Sequence, residues 1–346
     1  MRITIINEGL KLPVEFYGGS QRTIIYLLEL IIKKGHNVNL LAGKGTKLAN
    51  CQYLTYKNQT SNLLDRVFRR IDFSLKSLYL AKDADIIHTC KFWPNYHFLL
   101  NQTNKPIIYR QGNKCHPDDY LRIKKNNPRN GYMQVASYSN AKILKGIEKD
   151  RLFVTPNATD TDIILPPKNV SGEYLAYLGR LNHDKGIDIA VQISLVSGIP
   201  LKIAGTINPN EPESQILFEE KVKPYIGKNI EFIGPINDEQ KSSFLGNAIC
   251  LLMPNRWEEP FGLVMIESLA AGTPVIGTNR GAIPEIIDDG VNGFVCDSFD
   301  DIINAIKNIN FIDRKKCREK AVKEYSKEKF ILNTLNMYET IIANNH

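Results

Sequence analysis

Two carboxylates, Glu259 and Glu267, bracket the run "EPFGLVMIE", which is otherwise apolar. An acid in apolar surroundings is costly unless something pairs with it, so the two ask for a reason. If "AICLLMP" is a strand, "NRWEE" a turn and a helix begins near Phe261-Gly262, Glu267 lies about one and a half turns inside that helix. At ~1.5 Å per residue it then stands roughly 9 Å from Glu259. Carboxylates so far apart do not share a proton. Each can accept hydrogen bonds from hydroxyls at opposite ends of one extended ligand. A nucleotide sugar has that shape, with a hexose at one end, a ribose at the other and a diphosphate between.

The charge such a diphosphate would need is supplied nearby. "LGRLNHDKG" places Arg180 and Lys185 five residues apart in one loop. Arginine offers a fork of donors and lysine a point charge, a pairing suited to a diphosphate. The helix after "NRWEE" would aim its unpaired N–H groups at the same place, and Gly262 would let its backbone come close. Near the other end of the chain, Gly18-Gly19 precedes a helix that opens near Ser20. There a glycine pair could admit a phosphate or sugar to a helix N-terminus, although it serves equally well as a plain turn. The spacing is not G-x-G-x-x-G.

These residues need strands and helices to hold them. "RITII", an amphipathic segment with Ile24, Leu27, Leu28, Ile31 and Ile32 on one face, and "NVNLLAG" predict a β-α-β unit. Ser20 is the expected N-cap and Gly35 the expected end of the helix. "ADIIHTC", "KPIIYR" and "MQVASYS" continue a parallel sheet. "LPPKNVSG", 165–172, loses periodicity and reads as a linker. After it, "YLAYLGR", "LKIAG", "IEFIG", "AICLLMP", "TPVIGT" and "GFVCD" alternate with helix-sized segments, which predicts a second doubly wound domain. In such folds ligands sit beyond the carboxyl ends of the strands. The loops after Gly179, Gly205, Gly234 and Pro254 are therefore the ones that should carry chemistry.

At 346 residues two domains are expected. Six scattered cysteines without a CxxC pair suggest neither a zinc site nor a disulfide scaffold. No signal peptide or spanning segment is evident, so a cytoplasmic protein is expected. The net charge of +7 divides unevenly. Residues 1–165 hold 25 Lys and Arg against 13 Asp and Glu, and residues 166–346 hold 19 against 24. An anionic acceptor, membrane surface or nucleic acid is thus expected to face the first half, unless its charge serves solubility alone.

Glu259 and Glu267 within "EEPFGLVMIESLAAGTPVIGTNRGAIPEIIDDGVNGFV" resemble the E-x7-E signature of the retaining GT-B glycosyltransferases of family 4. "YLGRLNHDKG", "VTPNATD", "YGGSQR" and "GHNV" are similar to that family's other landmarks, in the same order. The resemblance implies an α/β chain of two Rossmann-like domains facing across a cleft: an acceptor-side domain over 1–165, a donor domain over 166–329, and a final helix, about 330–346, crossing back. It implies that Arg180 and Lys185 bind the donor diphosphate, Glu267 the ribose hydroxyls and Glu259 the transferred hexose. The backbone of Phe261, Gly262 and Leu263 would help hold sugar and phosphate, and Gly18 and Gly19 would close over the donor. No metal or cofactor is implied, and front-side attack needs no strong general base. Glu259, Arg180 and Lys185 would be the catalytic group, and the donor a UDP- or GDP-linked sugar.

Two departures stand out. Where many members have T-x-H-G, this chain has Arg110-Gln111-Gly112, so a titrating imidazole at the sugar is in doubt. Gln111 can still hydrogen-bond a hydroxyl, and His88 is the nearest substitute unless it is structural. "VTPNATD" keeps Asn157 but puts Ala158 where glycine is usual. The acceptor, a glycan, a lipid-linked saccharide or a small molecule, is expected at the first domain. There, Leu63–Lys82 sets Leu64, Val67, Phe68, Ile71, Leu75, Leu78 and Tyr79 on one helical face, with arginines around it. That helix either meets an anionic membrane or packs on the sheet. "RIKKNNPRNG", 122–131, reads as a basic loop. A sugar-nucleotide epimerase would share the donor site and lack an acceptor. A nucleic-acid-binding protein would use the basic half but shows no recognised module.

Overall fold

The computed structural model describes residues 1–7, 12, 19–48, 51–56, 63–90, 99–170 and 172–345, without the side chains of 19–21 and 63–64. The chain divides into two units, residues 1–156 with 328–346, and residues 157–327.

β-Branched runs make the strands of the first unit: β1 (Arg2–Ile6), β2 (Asn37–Gly43), β3 (Gln52–Tyr56), β4 (Ile86–Thr89), β5 (Ile107–Gln111), β6 (Gly131–Val135) and β7 (Leu152–Val154). They form one parallel sheet in the order β3-β2-β1-β4-β5-β6-β7. β4 and β6 are buried along their whole length, polar His88, Thr89 and Gln134 included. β3 and β7 are not evident in the sequence. Helix α1 (Gly19–Lys33) buries Ile24, Leu27, Leu28 and Ile31, and Gly35 follows it at φ 81°. Ser20 lies one residue inside α1 rather than ahead of it.

Helix α2 (Leu63–Ala81) corrects one expectation: the face turned to the sheet is not the large apolar one. Phe73, Ser74, Ser77, Leu80 and Ala81 are buried, whereas Val67, Phe68, Ile71, Leu75, Leu78 and Tyr79 are exposed. Small residues let the helix axis come close, and the sheet grips its last turn through polar side chains. Thr4 Oγ1 and Asn39 Nδ2 both donate to the carbonyl of Leu80, at 2.8 and 3.1 Å. Helices α3 (Asp119–Asn126) and α4 (Tyr138–Lys142) complete this part of the chain. The supposed basic loop at 122–131 is therefore helical in its first half. Lys124 there is paired with Glu148 at 2.7 Å.

The second unit has strands β8 (Leu175–Arg180), β9 (Leu201–Thr206), β10 (Ile230–Gly234), β11 (Cys250–Met253), β12 (Val275–Thr278) and β13 (Gly293–Cys296). Their parallel sheet runs β10-β9-β8-β11-β12-β13. Helices α5 (Ile187–Ser197), α6 (Pro212–Lys221), α7 (Asp238–Gly246), α8 (Leu263–Ala270), α9 (Ile283–Ile286), α10 (Phe299–Asn308) and α11 (Arg314–Tyr325) connect and flank it. Val264 to Ala270 of α8 are buried on every side, as befits a helix held within the core.

Residues 157–165, assigned above to the first domain, pack in the second unit. Thr159 N donates to Tyr325 O at 2.9 Å, Lys327 pairs with Asp160 at 2.6 Å, and Arg318 donates to the carbonyls of Thr161 and Ile164. The last helix, α12 (Lys327–Ala343), belongs from Glu328 onward to the first unit, where Tyr338 and Ile341 are fully buried. No helix among the described residues is long and apolar enough to cross a membrane.

Candidate active site

Strand order reverses between β8 and β11, and a reversal of this kind opens a crevice at the carboxyl ends of the two strands. The loops leaving those ends are 181–186 and 254–262, the segments carrying the candidate cations and Glu259. Arg180 ends β8 with an exposed side chain that has no hydrogen-bond or ionic partner among the described residues. Asn182 Oδ1 accepts the Lys185 N–H at 3.1 Å and folds the loop back. Gly186 then turns into α5 at φ 68°, and a Cβ there would lie 2.0 Å from the Pro254 carbonyl oxygen. Only glycine allows the two loops to come this close. A cleft of about 850 Å³ adjoins Arg180 and the 182–184 loop on the side of α6, room enough for a small ligand.

That contact delivers Lys185 to Glu259. The Lys185 ammonium meets Glu259 Oε2 and lies 4.8 Å from the Trp257 ring centroid. Asn255 Nδ2 (2.6 Å) and Trp257 Nε1 (3.1 Å) donate to the same oxygen. Three donors offset the desolvation of a carboxylate only 5% exposed. Among the described residues none of them reaches Oε1. The main chain of Glu259 is braced from behind. Ala282 N donates to its carbonyl at 2.8 Å, and Gly281, at φ 58°, approaches so closely that a Cβ would lie 2.3 Å from Glu259 N.

A clamp not anticipated from sequence ties the same two loops together. Arg256 forms a fork on Asp188 at 2.7 and 2.6 Å, and donates to His183 O from its side chain and to Asp184 O from its main chain. Burial alone would raise the Asp188 carboxyl. The Arg256 hydrogen bonds and charge outweigh it and hold Asp188 below the usual range, while Arg256 is raised by the same contact. Neither residue stands out in the sequence, because an arginine in a turn and an aspartate at a helix start are ordinary surface features when read singly.

Phe261 packs its ring edge-on to Tyr325, with centroids 6.1 Å apart, leaving its backbone at the entrance of α8. Gly262 is the N-cap, at φ 83°, and Leu263 is the first helical residue. Glu267, on the fifth helical position, is 4% exposed. Its Oε1 accepts from Lys241 Nζ at 2.6 Å, and Lys241, entirely buried on α7, also meets Asp238 at 3.0 Å. The sequence gives no hint of this partner, because "DEQKSSF" reads as an exposed helix start. Lys241 orients one carboxylate oxygen of Glu267 and neutralises its charge.

The first-unit candidates fare differently. Gly18 lies outside the described residues, and Gly19 is the first residue of α1. Gln111 ends β5, half-buried, with its Nε2 on Asp119 Oδ2 (3.1 Å) and its Oε1 accepting from Asn113 N (3.3 Å). It thereby shapes the loop behind the strand. Asn157 is buried and falls in the second unit. His88 is corrected as a sugar contact: it is fully buried, its Nδ1 lies 2.5 Å from Tyr338 Oη, and its ring stacks edge-on to that tyrosine. Burial and the Arg110 charge push its pKa down to about 3.

A folded-state histidine pKa below its unfolded value makes protonation favour the unfolded chain. The contribution of His88 is therefore complete above pH ~6.5 and declines as pH falls from there toward about 3. At pH 5 the loss is roughly 2 kcal/mol. Urea unfolding of the first unit at pH 7.5 and pH 5, compared with His88→Gln, should show a smaller pH dependence in the variant; an equal dependence would remove the assignment.

Two Rossmann-like parallel-sheet units, with buried acids and cations gathered at a strand reversal in the second, have the fold of the GT-B glycosyltransferases. Residues 161–329 match the family model for glycosyl transferases group 1, a match that covers nearly all of the second unit. Over 143 residues the chain is 31% identical to the lipopolysaccharide 1,2-N-acetylglucosaminetransferase of Salmonella typhimurium, covering 38% of each protein. The chain spans less than half the length of that relative, and 46% of an uncharacterised protein from the cps region of Klebsiella pneumoniae. Sucrose-phosphate synthase from Thermosynechococcus elongatus superposes with a TM-score of 0.81 at 18% identity, over 99% of both chains. Anabaena Alr3699/HepE in complex with UDP gives 0.75 at 14%, over 98% of this chain and 100% of that one.

Proposed function

We propose that the chain is a retaining, metal-independent hexosyltransferase that uses a nucleoside diphosphate sugar. The observation that carries this reading is the placement of Glu259 against Lys185 at the strand reversal, in the loop that follows Arg180, whose side chain has no hydrogen-bond or ionic partner among the described residues. Arg180 and Lys185 bind the diphosphate, with Lys185 keeping one of its three donors on Glu259. The N–H groups of Phe261, Gly262 and Leu263 face the phosphate and hexose at the start of α8. Glu259 accepts from a hexose hydroxyl through Oε1. Glu267, oriented by Lys241, accepts from the ribose. UDP is favoured as the nucleotide by the likeness to a UDP complex, and a saccharide acceptor by the lipopolysaccharide-acting relative. The same reading assigns the reaction to the cytoplasm.

In the transfer, the bond from the anomeric carbon to the diphosphate breaks as the acceptor oxygen bonds to the same face of that carbon. The acceptor proton passes to the departing phosphate oxygen. The protein's share is to hold both partners and stabilise the negative charge that develops on the diphosphate, which Arg180, Lys185 and the helix N-terminus do without a metal.

Product analysis tests this directly. One sugar nucleotide incubated without acceptor should give slow hydrolysis with retained anomeric configuration, also in the presence of EDTA. An epimerised donor would instead identify an epimerase. Arg180→Ala should weaken UDP binding ~10-fold or more and lower kcat as well, since a charged hydrogen bond contributes about 1.5–3 kcal/mol. Calorimetry with UDP measures the first effect. Unchanged affinity would remove Arg180 from the site.

A further inference from the structure

Among the described residues of its unit, the outward face of α2 has no partner. Val67, Phe68, Ile71, Leu75, Leu78 and Tyr79 are 51, 68, 46, 56, 37 and 66% exposed. At ~100° and ~1.5 Å per residue they fill one arc of roughly 120° over about 18 Å of helix. Six large apolar side chains in one continuous stripe mark a surface that something covers.

Its charge surroundings indicate what. Arg66 and Arg70 border the N-terminal end and Lys82 the C-terminal end, all exposed. Asp72 beside the stripe is matched by Lys76 at 2.9 Å. The whole first unit holds 26 Lys and Arg against 13 Asp and Glu, whereas residues 157–327 hold 18 against 24. At roughly 150–250 Å² for each large apolar residue, the exposed parts of the six amount to roughly 600 Å² of accessible surface, less than the ~800 Å² per partner of a standard protein interface. A lipid surface has no such threshold, and aromatic residues such as Phe68 and Tyr79 suit the level of its headgroups. We propose that α2 lies in the interface of an anionic lipid surface, with Phe68, Leu75 and Tyr79 at the acyl boundary and Arg66 and Arg70 among the headgroups. The inference does not depend on the donor assignment.

Sedimentation with phosphatidylcholine vesicles, with and without a third of phosphatidylglycerol, tests it on the full chain. Binding should require the anionic lipid and weaken as salt is raised. Phe68→Ser with Leu75→Ser should lower the partition coefficient ~10-fold or more with an unchanged thermal transition, because both side chains are exposed. Arg66→Gln with Arg70→Gln should reduce the anionic preference while leaving the apolar stripe intact. Absence of binding to anionic vesicles, or binding unaffected by both double variants, overturns the proposal. So does a solution dimer that F68S/L75S converts to monomer, which would assign the stripe to a second copy of this chain.

Discussion

Glu259→Gln should lower kcat for sugar transfer by ~10²- to 10³-fold, the usual range for loss of one preorganised polar contact at the reacting centre, while leaving affinity for free UDP nearly unchanged. The two readouts separate because UDP lacks the hexose. In the wild type Glu259 Oε2 is committed to Lys185, Asn255 and Trp257, which leaves Oε1 for the proposed hexose contact. The amide keeps the volume, and its oxygen can still accept from Lys185, Asn255 and Trp257, but its other end becomes a donor where Oε1 was an acceptor. Steady-state transfer rates beside UDP titrations decide the matter. A wild-type kcat would show that Glu259 does not touch the reacting sugar, and a matching loss of UDP affinity would make its role uniform binding.

Gly186→Ala should destabilise the second unit and abolish transfer together. The left-handed backbone costs an alanine about 1–2 kcal/mol, and its Cβ would have to share space with the Pro254 carbonyl, 2.0 Å away. A total near 3 kcal/mol lowers the melting temperature by roughly 6–12 °C for a unit of this size. The movement that relieves the clash separates loop 181–186 from loop 254–262, so Lys185 leaves Glu259 and the Arg256–Asp188 clamp is strained. Differential scanning calorimetry and transfer assays at a temperature where the variant remains folded test the two halves independently. A melting temperature within about 2 °C of wild type, or full activity, would contradict the positioning role given to this glycine.

The parts of this molecule that were legible in its sequence are those written in local periodicity. Every strand of the second sheet is a short apolar run between turn residues, and the parallel order of such runs places their loops at one edge. On that reasoning Arg180, Lys185 and Glu259 belong at the carboxyl edge of the sheet, where the structure has them at the end of β8 and in loops 181–186 and 254–262. What escaped depends on pairs far apart in the chain. Lys241 and Glu267 are 26 residues apart and Arg256 and Asp188 are 68 apart, and no spacing rule joins them. Helix α2 is the more instructive miss. Its periodicity defines a stripe correctly but says nothing of which way the stripe points. The deciding signal was the opposite face, where Ser74, Ser77 and Ala81 are small enough to lie flat on the sheet. His88 is the last residue but one of a buried strand and reads as a ligand only until Tyr338, 250 residues later, is placed beside it.

The central claim is that the second unit holds a nucleotide sugar with its hexose at Glu259 and its ribose at Glu267. Saturation-transfer NMR of the intact chain against UDP-, GDP-, ADP- and dTDP-linked hexoses in EDTA measures this most directly. At least one donor should show saturation of both its ribose and its hexose protons, with the hexose signal selectively reduced in Glu259→Gln. No transfer to any donor, or identical hexose saturation in the variant, would contradict it.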